Sequence, residues 1–183
     1  MVLCLSYHAV GPISRLILFL THLDFLIRRN HNWHKLIVQN QTRKSMTYRY
    51  LEHMTDAFIE VTGETLQEAF ESAGIAVVDT ILDFKSVEEK TERKIEIIAD
   101  ELNSLLYSWL EEIIVLTITE GFAARRFTIQ ITKNSKYFLK ARIYGEGIDF
   151  EKHHFKLEIK APTYHLMEIK EEKPVVMRFL LDL

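Results

Sequence analysis

A chain of 183 residues, 48% hydrophobic and 27% charged, has room for one substantial core and describes an ordinary soluble globular protein. The net charge of −3 conceals an asymmetry: residues 1–45 hold 6 of the 23 basic and 1 of the 26 acidic residues, net +5, which leaves 17 basic and 25 acidic, net −8, in residues 46–183. That acidic body argues against phosphate-backbone binding as the main task and suits a metal site or a basic partner, although solubility alone also accounts for it. One cysteine, Cys4, excludes an intrachain disulfide, a CxxC motif and a thiolate cluster, and fits a reducing, cytoplasmic compartment.

Residues 1–45 differ from the rest. They hold four of the eight histidines, and their apolar stretch from Leu16 to Ile27 is broken by His22 and Asp24. The stretch is short for a membrane span, lacks a basic leader region and is followed by no clean small-residue cleavage site. An amphipathic extension or anchor is one reading. The favoured one is that Met46 is the true start, with 1–45 an over-extended reading frame or a disordered extension.

From Met46 onward the pattern is one α+β unit. Tyr48–Leu51 and Ala57–Val61 read as strands around a polar turn, Glu52-His53-Met54-Thr55-Asp56. Thr65-Leu66-Gln67-Glu68 is a capping box that opens a helix. Its stripe is Leu66, Ala69, Phe70, Ala73, Val77 and Ile81, and Gly74 within it implies close packing on a sheet. Thr91–Ala99 alternates as a half-buried strand, and Asp100 is placed to cap the next helix. Leu102, Leu105, Leu106, Trp109, Leu110, Ile113 and Ile114 form that helix's core stripe, in which Trp109 is structural.

The remainder reads as β. Phe127–Thr132 and Tyr137–Tyr144 flank a four-residue hairpin turn, Lys133-Asn134-Ser135-Lys136. Phe155, Leu157, Ile159 and Ala161 alternate with charged residues, Pro162 marks a kink or edge, and Thr163–Ile169 continues the sheet. Val175–Asp182, preceded by Pro174, reads as a strand buried on both faces. The expected architecture is α+β, two helices packed on a largely antiparallel or mixed sheet.

Nucleophilic catalysis has no good candidate: there is no Gly-rich phosphate loop beyond the incomplete Gly145-Glu146-Gly147, and no GxSxG elbow. Three constellations remain. His53–Asp56 is turn chemistry by default. Lys152-His153-His154, with Lys160 and Thr163-Tyr164-His165, reads as solvated charge, because adjacent histidines on a strand face opposite ways and cannot share a metal. The third is the chain end, where the Asp182 carboxylate neighbours the Leu183 α-carboxylate. Two such anions close together call for a cation, and hard cations take carboxylate oxygens. A further carboxylate from a loop would complete the site; Asp56 is one of several candidates.

Residues 46–183 resemble the archease family over their full length. The resemblance runs through Tyr50-Leu51-Glu52-His53-Met54-Thr55-Asp56, Gly63-Glu64-Thr65-Leu66-Gln67-Glu68-Ala69-Phe70 and Asp100-Glu101-Leu102-Asn103-Ser104-Leu105-Leu106. It continues through Gly145-Glu146, Lys152-His153, Glu158-Ile159-Lys160-Ala161-Pro162-Thr163-Tyr164-His165 and the terminal Asp182-Leu183. Met54 and Thr55 depart from the family's usual Thr and Ala. The resemblance implies an activator of the GTP-dependent tRNA-splicing RNA ligase that promotes the ligase's guanylylation and multiple turnover, without chemistry of its own. It also implies metal ligands at Asp56, Asp182 and Leu183, holding a divalent cation, Ca²⁺ foremost with Mg²⁺ or Mn²⁺ as alternatives. The implied partner is the ligase, with tRNA met only through it and no membrane. Two other readings stand beside it: a metal-dependent phosphoester hydrolase using Asp56 and Asp182 with His53 or His165 as base, and a chaperone for tRNA-modifying enzymes.

Overall fold

Alternating and helical apolar patterns sort the chain into two antiparallel sheets and the helices that join them. The computed structural model describes residues 48–53 and 56–183. The readings of residues 1–45, and Met54 and Thr55 in the turn, lie outside the described residues. The strands are β1 (Tyr48–Leu51), β2 (Ala57–Gly63), β3 (Thr91–Ala99), β4 (Phe122–Lys133), β5 (Tyr137–Gly147), β6 (Ala161–Lys170) and β7 (Val175–Asp182). The helices are α1 (Leu66–Ile81), α2 (Leu102–Ile114) and the short α3 (Phe150–His153). One sheet runs β1-β2-β7-β6 and the other β3-β5-β4, so the α+β class holds but the single expected sheet is two.

Helix α1 begins where the capping box places it. The Thr65 hydroxyl accepts the Glu68 N–H at 3.2 Å, while the Glu68 carboxylate accepts the Glu64 N–H at 3.0 Å. Two otherwise orphaned amides are thereby satisfied. Its stripe, from Ala69 and Phe70 to Ile81, is fully buried. Burying a side chain the size of Phe70 or Ile81 contributes roughly 1.5–3 kcal/mol. Trp109 of α2 locks the helices together: its indole N–H donates to the Phe70 carbonyl at 2.9 Å, and its ring meets Phe127 of β4 edge-on at 5.7 Å. Gly74 makes this closeness possible, because a Cβ there would sit 3.1 Å from the Phe127 ring and 3.2 Å from Trp109.

Several local expectations need correction. Asp100 does not cap α2; Glu101 occupies the cap position without a side-chain bond, and Asp100 instead pairs with Lys136 at 2.9 Å. After Ile114 the helix continues as a π-helical turn, Val115–Thr119. Strand β4 begins at Phe122, earlier than the pattern showed, because its first residues are apolar throughout and give no alternation. The β4–β5 turn is residues 134–136, since Lys133 still pairs with Tyr137. Residues 155–160 form no strand: the Lys156 N–H is taken by the Ile81 carbonyl at 2.7 Å, which ties the start of the segment to the end of α1, and only its last residue, Lys160, bonds to β7. Pro162 lies where expected, on the edge strand β6.

Strand β7 sits between β2 and β6, and only one of its faces is fully buried, through Val175, Met177, Phe179 and Leu181. The other face carries half-buried Arg178, whose guanidinium meets Glu60 at 2.8 Å and Glu168 at 3.1 Å. An antiparallel sheet leaves one face to water, which is why the apolar run did not mean burial on both sides.

Candidate functional site

The end of the four-stranded sheet gathers residues far apart in sequence. Ala57 of β2 pairs with Leu181 of β7, so one further step of antiparallel register sets Asp56 alongside Asp182. On the other flank Ala161 of β6 pairs with Asp182, and the Lys160 N–H donates to the Asp182 carbonyl at 2.9 Å. The Lys160 ammonium donates to the Leu183 oxygen at 2.5 Å. Asp56 is 19% exposed, and its carboxylate stands 3.3 Å from Nδ1 of His53.

Asp56 and Leu183 line one open cleft of about 450 Å³, together with Tyr50, Asp79, Lys156 and Leu157. Asp182 is exposed and lies outside that lining, joined to the group through the register. Among the described residues, no three His, Cys, Asp or Glu side chains group to hold a metal. The expected donors are two side-chain carboxylates and the terminal group. All are oxygens, which fits a hard divalent cation completed by water, and Lys160 supplies positive charge at the same place.

Asp79 is a cleft residue that the sequence reading missed. Burial raises its carboxyl, but the Tyr48 hydroxyl at 2.5 Å and the Lys156 ammonium at 3.1 Å outweigh that, leaving it below the ordinary aspartate range. Tyr48 in turn is pushed up, by burial first and by Asp79 second. The available signal was an acid between Val78 and Thr80 on an otherwise apolar helix face.

A second cluster overturns the solvated-charge reading of Lys152 and His153. Both belong to α3, not to a strand, and His154 caps that helix in the left-handed region at φ 47°. Glu146, with its side chain 8% exposed, accepts the Lys152 and Lys90 ammoniums at 2.6 Å each and the Glu88 N–H at 2.8 Å. His153, 1% exposed, joins at 3.1 Å through Nε2. The two lysines, Lys152 foremost, hold the Glu146 carboxyl far below the ordinary glutamate range. Gly145 beside it permits the close approach of β4, since a Cβ there would fall 1.9 Å from the Ala123 carbonyl oxygen.

His165 is exposed within the β6 bulge, its N–H donating to the Thr163 hydroxyl at 3.1 Å, with no contact to Asp56 or Asp182 among the described residues. His53 alone of the two candidate bases adjoins a tip carboxylate.

The fold and site define a small two-sheet α+β protein with an oxygen-rich tip and no assembled nucleophile–base pair among the described residues. Residues 48–183 match the model of the Archease protein family (MTH1598/TM1083), and the chain belongs to that family. A Pyrococcus abyssi protein archease is 44% identical over 125 residues, 68% of this chain and 88% of the relative. A Sulfolobus acidocaldarius protein archease is 35% identical over 137 residues, 74% and 98% of the two chains. The solution structure of Methanobacterium thermoautotrophicum protein 1598 is 34% identical with a TM-score of 0.67, covering 75% of this chain and 99% of that one. The family is one of protein activators rather than of enzymes. No helix among the described residues is long and apolar enough to cross a membrane.

Proposed function

We propose that this protein activates the tRNA-splicing RNA ligase, promoting GTP-dependent guanylylation of the ligase and its repeated turnover. Membership of the archease family carries this reading. The register that brings Asp56 beside Asp182 supports a tip role for both. In this reading Asp56, Asp182 and Leu183 would hold a divalent cation, Ca²⁺, Mg²⁺ or Mn²⁺. Such an ion supplies charge neutralisation for phosphate groups.

The chain's own contribution is positional. Strands β2 and β7, flanked by β6, would hold the three proposed donors at one sheet end, so little ordering would remain when a partner arrives. Lys160 restrains the terminal group, and His53 sits against Asp56. In this reading the exposed tip enters the partner's site in the cytoplasm, and the tip itself meets RNA only through that partner.

The test is a multiple-turnover ligation assay with the cognate ligase, with and without the protein. Stimulation by the natural protein, lost in Asp56→Ala and Asp182→Ala variants that keep their fold, is the expected result. Full stimulation by both variants would refute the tip, and absence of any stimulation would refute the activator reading.

A further inference from the structure

The β3-β5-β4 sheet packs one face on the helices and leaves the other open. On the packed side Ile97, Leu139 and Ile143 are buried. On the open side β5 presents, in alternation, Phe138, Lys140, Arg142 and Tyr144. Register sets Lys94 of β3 directly opposite Arg142, with Lys140 in the next row. Like charges directly opposite destabilise a strand pair. Glu92 lies 3.7 Å from Lys94 and Glu96 3.0 Å from Lys140, whereas Arg142 has no ion pair among the described residues.

Lys94, Glu96, Lys140, Arg142 and Tyr144, with Thr128 and Gln130 of β4 opposite Arg142 and Lys140, line a concavity of about 490 Å³. With Arg126 and its ion-pair partner Glu89 counted, the open face carries four cations against Glu89, Glu92 and Glu96, net +1, on a segment whose total is −8. Positive charge is thus concentrated against the trend of the surface. Two rings bracket it along β5. Tyr144, with the Arg126 guanidinium 3.8 Å from its centroid, and Phe138 are both partly exposed. Six residues of strand separate them by roughly 20 Å.

We propose that this open sheet face binds a single-stranded RNA segment, with phosphates at Arg142, Lys94 and Lys140 and bases against Tyr144 and Phe138. An acidic peptide would use the cations and leave the rings idle. A duplex hides its bases from a sheet surface, whereas an unpaired strand offers both phosphates and π-faces. The face belongs to a different sheet from the Asp56–Asp182 tip, so the RNA contact and the tip reading stand or fall separately.

The experiment is fluorescence anisotropy of a labelled single-stranded oligouridylate of ~12 nucleotides with the full chain, at ~50 and ~200 mM salt. Binding should weaken as salt rises, and Lys94→Glu with Arg142→Glu should weaken it about tenfold or more. Tyr144→Ala should weaken it several-fold, and Lys170→Glu, the same charge change on β6, should leave it unchanged. Arg142→Gln serves if the double reversal perturbs the far-ultraviolet circular dichroism. Binding indifferent to Arg142 or to salt would overturn the proposal, as would no binding at ~100 µM protein. Equal affinity for polyglutamate would assign the face to an acidic peptide, and equal affinity for duplex RNA would remove the single-strand claim.

Discussion

His153 presents Nε2 to the buried Glu146 carboxylate at 3.1 Å while its Nδ1 accepts the Asp149 backbone N–H at 2.9 Å. The backbone amide can only donate, so Nδ1 carries no proton and Nε2 is the donor to Glu146. One imidazole thereby joins the start of α3 to the end of β5. Through Glu146 the loop bearing Glu88 and Lys90 is joined as well.

Replacing Glu146 with glutamine should cost about 2 kcal/mol at neutral pH, since charge-assisted bonds to two ammoniums become neutral ones. The pH dependence follows from the direction of the shift. Glu146 lies below its ordinary value of 4.5 in the folded protein, chiefly through Lys152 and then Lys90. Its contribution is therefore full above the unfolded value and is lost as pH falls toward the folded one. Urea unfolding from pH 7 downward should show the gap between natural and Glu146→Gln proteins closing below about pH 4.5. A gap that stays constant would show that the carboxylate is not the stabilising group. Glu60, held down chiefly by Arg178, adds acid sensitivity that both proteins share.

Gly145 and Gly147 make a matched pair. A Cβ at Gly145 meets the Ala123 carbonyl oxygen at 1.9 Å, and one at Gly147 meets nothing within 4 Å. Gly145→Ala should destabilise by about 3 kcal/mol or more, because backbone has to give way. Gly147→Ala should change stability by less than about 1 kcal/mol, in the stabilising direction through the unfolded chain. Chemical denaturation of the two variants checks both, and equal effects would contradict the contact.

Thr65→Ala removes the hydroxyl that accepts the Glu68 N–H. The expected loss is about 1 kcal/mol, read as a lowered denaturation midpoint with an unchanged slope.

A peptide appended after Leu183 would convert the α-carboxylate into an amide and displace it from Lys160. Divalent-cation affinity by equilibrium dialysis should fall about tenfold or more, as one of the three proposed anionic donors is lost. Unchanged Ca²⁺ binding in the extended protein would exclude the terminal group as a ligand.

Helices α1 and α2 were legible because each carries its own evidence. Thr65 with Glu68 marks one start, and the α2 stripe runs the 13 residues from Leu102 to Ile114, so local spacing suffices. Residues 155–160 misled because alternation reports which side chains turn inward, not what their amides bond. Only Ile159 is buried there, and Lys156 bonds to the last turn of α1, 75 positions upstream. Glu146 was hidden for a related reason: Glu88 and Lys90 reach it from 58 and 56 residues away, a distance that no sequence window spans. At the tip, charge alone picked out Asp182 and Leu183 but left Asp56 as one acid among several. The family resemblance singled it out, and the β2–β7 register sets it beside Asp182.

Trp109 gives the domain a built-in optical probe. It touches α1 through the Phe70 carbonyl and β4 through Phe127, and Trp33, the other of the two indoles, precedes Met46. A chain beginning at Met46 would emit from Trp109 alone, at the blue-shifted wavelength of a dry, fully covered ring. Its emission would redden when α1, α2 and β4 part and stay fixed when only the tip or the open sheet face is altered. A single spectrum would then separate variants that have lost a contact from variants that have lost the fold.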